Sequence, residues 1–80
     1  MENQVQYPIY RKLKNNRRFY KVIDSKLFEE IQIIGTKVKK MSFEAKQYPE
    51  ILFISDIIKL NHEGIIESSE SEWLSVIVNY

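Results

Sequence analysis

The sequence predicts an α+β domain: a four-stranded antiparallel meander, in the order β-β-β-β-α-α, with two helices packed on one face of the sheet. Three observations point there. Residues 9–46 hold four runs rich in β-branched and aromatic residues or alternating in polarity, separated by short polar turns. At Tyr48-Pro49 the spacing of apolar residues changes to a helical one. Ser69-x-x-Glu72 then has the form of a capping box before a second apolar stripe. The 80 residues read as one domain, 1–80.

The first two runs, "IYRKLK" (9–14) and "RFYKVI" (18–23), form a hairpin around Asn15-Asn16, because asparagine tolerates the left-handed backbone of tight turns. Asp24-Ser25 ends the second run. "LFEEIQII" (27–34) is ambiguous. Leu27, Phe28, Ile31 and Ile34 fit a helix stripe, but the run is read as a strand that turns at Gly35-Thr36. "KVKKMSFEAK" (37–46) alternates, with Met41, Phe43 and Ala45 on one face. The first helix spans 49–60, with Glu50 at its positive end and Gly64 as the reversing residue. Ile65-Ile66 cross back. The second helix follows Ser69 and carries Trp73, Val76, Ile77 and Tyr80 as its stripe.

Composition narrows the function classes. There is no cysteine, so disulfides, thiolate zinc sites and thiol catalysis are excluded. The N-terminus lacks the pattern of a secretory signal. The longest apolar run is the four residues Ile51 to Ile54, against about 20 for a membrane span. A cytoplasmic protein with no membrane association is expected. Net charge is +1, yet residues 1–46 hold eleven Lys/Arg against five Asp/Glu, and residues 47–80 hold one against six. Such asymmetry marks either a basic binding face or two halves that pack together, basic strands against acidic helices.

Enzyme signatures are absent: no Gly-rich phosphate loop, nucleophile elbow or HExxH pair. The lone His62 could act as a base beside Glu63, but it reads more simply as a polar residue where a helix ends. Glu29 and Glu30 are adjacent, so neither a strand nor a helix aims them at one point. Glu70 and Glu72 suit the first turn of a helix. All four acids read as solvated. No catalytic residue, metal ligand, cofactor or small-molecule substrate is assigned.

The basic hairpin carries the sharpest functional expectation. Arg11, Lys12, Lys14, Arg17, Arg18 and Lys21 fall within eleven residues that contain no acid. A three-residue loop, Asn15 to Arg17, would pair Lys14 with Arg18 and Lys12 with Tyr20. Tyr10, Lys12, Lys14, Arg18 and Tyr20 would then share one face, with Arg17 at its tip, as a platform for single-stranded nucleic acid. Ile9, Leu13, Phe19 and Ile23 would form the core face. A two-residue loop would put Leu13 beside Arg18 and Lys12 beside Phe19, mixing the faces, because a slip of one residue exchanges them. The first register is preferred. "RRFYKVID" does not fit the long-strand signature of RNA-recognition domains, since Arg18 and Tyr20 fill its small-residue slots. The competing account of the same hairpin is a lysine-guarded edge strand that binds nothing.

A protein interface is the leading expectation. Phe53 and Ile57 on the first helix, with Trp73 and Tyr80 on the second, exceed what one face of a small sheet need cover. The partner would be another protein or a second copy of the chain, as a homodimer.

Three stretches, "YRKLKNNRRFYKV", "FEEIQIIG" and "EAKQYPEILFISDII", resemble a small bacterial protein family with no assigned function. The likeness covers residues 7–60. It implies a compact, stand-alone intracellular protein and brings no site residues.

Overall fold

The computed structural model describes residues 6–79. The strands are β1 (Ile9–Leu13), β2 (Arg18–Asp24), β3 (Leu27–Ile34), β4 (Lys37–Glu44) and β5 (Ile65–Glu67). Helix α1 (Tyr48–Ile58) lies between β4 and β5, and α2 (Glu70–Asn79) follows β5. The α+β class and the four-strand meander are as the sequence predicts, and 27–34 is a strand. One strand is added. Ile65–Glu67 pairs antiparallel with β1, so the sheet runs β4-β3-β2-β1-β5.

The turns follow their sequence signals. In the first, the Asn15 side chain accepts from the Arg17 N–H at 2.8 Å, and Asn16 has a φ of 61°. In the second, Asp24 accepts from the Lys26 N–H at 2.8 Å, beside an irregularity at Ile23. In the third, Gly35 takes a φ of 63°, which glycine meets without steric cost.

The register of the first hairpin is the one the sequence disfavours. Lys12 lies opposite Phe19, Arg11 opposite Tyr20 and Ile9 opposite Val22. The expectation of separate basic and apolar faces assumed a sheet covered on one side. Here both sides are covered. Tyr20, Val22 and Phe28 pack with Ile54 and Ile57 of α1. Phe19 and Ile31 pack with Trp73 and Val76 of α2. Phe19 and Tyr20 are neighbours on one strand, so their side chains leave on opposite faces. The two helices therefore occupy opposite faces of the sheet instead of sharing one. The chain leaves β4 at one edge, passes along the first face as α1, forms β5 at the other edge, and returns along the second face as α2.

Helix α1 begins where Pro49 and Glu50 place it. The Glu50 carboxylate accepts from the backbone N–H groups of Lys46 and Gln47 at 2.9 and 3.1 Å, which meets donors the helix cannot satisfy itself. Its end differs from expectation. The reversing residue is Leu60, at a φ of 59°, and Gly64, at 88°, turns the chain later. The Asn61 N–H bonds to the Asp56 carbonyl and the Leu60 N–H to that of Ile57, the two bonds of a Schellman end. A branched side chain is unfavourable in that left-handed conformation by about 1–2 kcal/mol.

Leu60 is partly exposed, so little packing opposes its removal. Leu60→Gly should raise the stability by about 1 kcal/mol. Thermal unfolding should move up by roughly 4–8 °C. An unchanged or lower Tm would show that the Leu60 side chain contributes more through packing than its backbone costs.

Candidate functional site

The cations of the hairpin divide between the faces according to strand parity. Arg11 lies on the α1 side, where its guanidinium meets the end of that helix. Its Nε donates to the Ile57 carbonyl at 2.8 Å and an Nη to that of Ile58 at 2.9 Å. A further Nη donates to the Tyr10 carbonyl at 3.0 Å. The last turn of α1 contains no basic residue, so the strand supplies the positive charge that the carbonyl end of a helix favours. Burial lowers the Arg11 pKa, and Glu67, opposite it on β5, raises it.

Lys12 lies on the α2 side. Its Nζ donates to Glu72 Oε2 at 2.8 Å, and Glu72 Oε1 accepts from the Ser68 hydroxyl at 2.7 Å. The Glu72 N–H donates to Ser69 Oγ at 3.1 Å. Half of the predicted capping box therefore forms, while the carboxylate turns to Lys12 and Ser68. Those two bonds, Lys12 first, hold the Glu72 carboxyl below its ordinary pKa. A basic strand against an acidic helix is one of the two outcomes that the charge asymmetry predicts.

The expected single-strand platform is not assembled. Tyr10 and Lys12 are on the α2 side, where the Tyr10 ring sits 6.2 Å from that of Trp73. Tyr20 is buried on the α1 side with Phe28 and Phe53. Both phenols have raised pKa values, burial being the main cause in each. For Tyr10, Glu70 and Glu29 add to it; for Tyr20, Glu30 adds while Arg18 opposes. Arg18, on the same face as Tyr20, reaches Glu30 at 3.6 Å. Lys14 and Arg17 are exposed in the turn.

The expected interface set lies mostly inside the protein. Ile57 and Trp73 are buried in the two cores, because each face of the sheet needs its own helix. Phe53 is half-buried against Tyr20 and Phe28. Tyr80 lies outside the described residues. His62 is exposed, with its ring edge-on to Phe53 at 5.5 Å and its Nδ1 3.1 Å from the Glu63 carbonyl.

Two surface features emerge that sequence reasoning missed. On the outer side of α2, Leu74, Ile77 and Val78 are 49, 43 and 79 % exposed. They stand at i, i+3 and i+4, so they form one stripe. On the other face, a cleft of about 320 Å³ lies between the β3–β4 hairpin and the first half of α1, walled by Phe28, Phe43 and Phe53. Glu30, the one charged residue among the buried side chains of the described residues, lines it. Strand parity could have found Glu30, since it shares a face with Phe28. Among the described residues, no group of His, Asp and Glu side chains is arranged to hold a metal ion, and no helix is long and apolar enough to cross a membrane.

No family model, no curated protein and no solved structure matches the chain.

Arg11→Met should lower the unfolding free energy by about 2–3 kcal/mol, because the carbonyl groups of Ile57 and Ile58 lose charge-assisted donors. Arg11→Lys should recover only part of it, lacking the planar fork. Urea denaturation measures both, and equal stability of Lys and Met at this position would argue against the carbonyl contact.

The Lys12–Glu72 contact has a pH signature. A carboxyl whose folded pKa is depressed stabilises the protein above its unfolded value, and that stability is lost as pH falls through the folded value. The window therefore opens below the ordinary glutamate value of about 4.3. Glu72 is well exposed, so its share should be at most about 1 kcal/mol. Glu72→Gln should be less stable than the parent at neutral pH, and that difference should shrink as pH falls through the window. Glu50, whose carboxyl is also held down by its hydrogen bonds to the Lys46 and Gln47 amides, keeps its own acid limb in the variant. A difference that stays constant with pH would rule the contact out as a stabiliser.

Proposed function

We propose that the protein acts by contact with another protein chain, in the cytoplasm, and that its first partner is a second copy of itself. The observation that carries this is the outer stripe of α2. Trp73 and Val76 already fill the inward side of this helix, so Leu74, Ile77 and Val78 have no role in the core of the single chain. Their side chains stand in water at a spacing that suits packing against another helix. A stripe on one short helix can meet its own copy across a twofold axis, each residue contacting its symmetry-related set. A disulfide-free domain of 80 residues has only a modest core, and burying this stripe adds to it.

The hairpin supports a nucleic-acid partner less well. Lys14, Arg17 and Arg18 are exposed at its turn, but Phe19 and Tyr20 beside them are buried. Cations without an open ring offer phosphate contact and no stacking.

Light scattering after gel filtration should give twice the chain mass of 9.6 kDa, with a Tm that rises with concentration. Leu74→Glu with Val78→Lys alters exposed positions only, so the variant should remain folded by circular dichroism and elute as a monomer. A parent chain that is monomeric at every concentration, or a variant that still dimerises, would remove α2 as the contact.

A further inference from the structure

The cleft on the α1 side is independent of the α2 stripe and lies on the opposite face of the sheet. Its walls are aromatic. The Phe28 and Phe43 rings stack with centroids 5.0 Å apart and planes at 21°, and Phe53 stands 5.8 Å from Phe28 at 52°. Phe43 remains 38 % exposed. The charged residues lining the cleft are all acids: Glu30, Glu44 and Glu50. They are not arranged to hold a metal ion. The cleft volume, about 320 Å³, is at the small end of the range for small-molecule sites.

Glu30 distinguishes this cleft from a chance hollow. The residue is 7 % exposed, and burial of a carboxylate is costly unless a counter-charge sits close. Its partners both meet Oε2: the Gln32 amide at 3.1 Å and the Arg18 guanidinium at 3.6 Å. The Arg18 distance exceeds that of a charge-assisted hydrogen bond, and half of the Arg18 side chain is in solvent. Glu44 is 3.9 Å from Lys46, with both side chains mostly exposed. Glu50 is held by the two backbone N–H groups at the start of α1. Glu30 is thus a buried anion with a loose counter-ion, beside a wall of ring faces that themselves attract cations.

We propose that this cleft binds a small organic cation, an ammonium or guanidinium group carried on a compact apolar body. The apolar body covers Phe43 and Phe53, and the cation takes the place beside Glu30 that Arg18 fills from a distance. Neutral molecules of the same shape gain only the apolar part, and anions meet three carboxylates.

The test uses the full chain and two probes of matched size, phenethylammonium and 2-phenylethanol, titrated near neutral pH and followed by NMR of the aromatic side chains. Phenethylammonium should shift the signals of Phe28, Phe43 and Phe53 and bind about tenfold more tightly than the alcohol. Glu30→Gln should reduce the two affinities to near equality. Arg18→Gln keeps Glu30 and removes its competing cation, so it should tighten phenethylammonium while leaving the alcohol unchanged. It serves as the decisive variant if Glu30→Gln does not fold. Equal affinities in the parent chain, shifts that map away from these rings, or an Arg18→Gln variant that gains nothing would overturn the proposal. Since no α2 position is altered, the outcome is separate from the oligomeric state.

Discussion

Arg11 and Lys12 are adjacent, and the strand sends them to opposite sides of the sheet, where each holds one helix. Arg11 closes the carbonyl end of α1, and Lys12 meets the first turn of α2 through Glu72. Both depend on the pairing of Lys12 with Phe19. Slipped by one residue relative to β2, β1 would pair Lys12 with Tyr20 and require the two strands to turn over relative to each other. Arg11 would then face the acidic start of α2 and Lys12 the end of α1, with a single ammonium in place of a fork. The same slip would set Phe19 and Tyr20 against the wrong neighbours. Register, helix placement and charge placement are one constraint.

That constraint explains why so small a chain can cover its sheet on two sides. The middle of the sheet is β2, with Phe19, Tyr20 and Val22 buried at successive or alternate positions. Among the described residues, each core takes two buried side chains from its helix: Ile54 and Ile57 on one side, Trp73 and Val76 on the other. Helices this short cover the centre and leave the β4 edge thinly protected. Most of β4 is exposed, and Lys37, Lys39 and Lys40 occupy its first half, which discourages edge-to-edge pairing. Its second half, from Met41 to Glu44, carries no lysine and borders the aromatic cleft.

The parts of the fold that rest on local chemistry were legible in the sequence. Gly35 marks a turn because few other residues take its backbone angle, and Pro49-Glu50 and Ser69 start helices through bonds made within a few residues. The parts that rest on distant partners were not. Sorting apolar from basic residues favours the wrong hairpin register, because it sets Lys12 on an open face and gives Arg11 no partner on the face of Ile9 and Leu13. Their partners, Ile57, Ile58 and Glu72, lie more than forty-five positions away. Leu60 as a reversing residue runs against its own preference, so the glycine nearby draws the assignment. Ile57 and Trp73 look surplus to a sheet covered on one side, and become core once both sides are covered.

The charge asymmetry along the chain resolves in the same terms. Part of it is internal to the fold: Lys12 pairs with Glu72, and Arg11 faces Glu67 across β1 and β5. Part is neutralised inside the basic half, where Lys40 and Arg18 lie near Glu29 and Glu30 at 3.6 Å each. Those two acids follow one another in sequence and have different surroundings because they leave opposite faces of β3. Glu29 pairs with the side of the sheet that carries Lys21 and Ser42, whereas Glu30 stands between Tyr20 and Met41. Glu30 is therefore the acid that burial isolates, and the cation that reaches it among the described residues, Arg18, extends from the sheet toward solvent. An anion placed so, with stacked rings to one side and no nearer charge, gives the α1 face of the sheet a preference for cations that the net charge of the whole chain does not reveal.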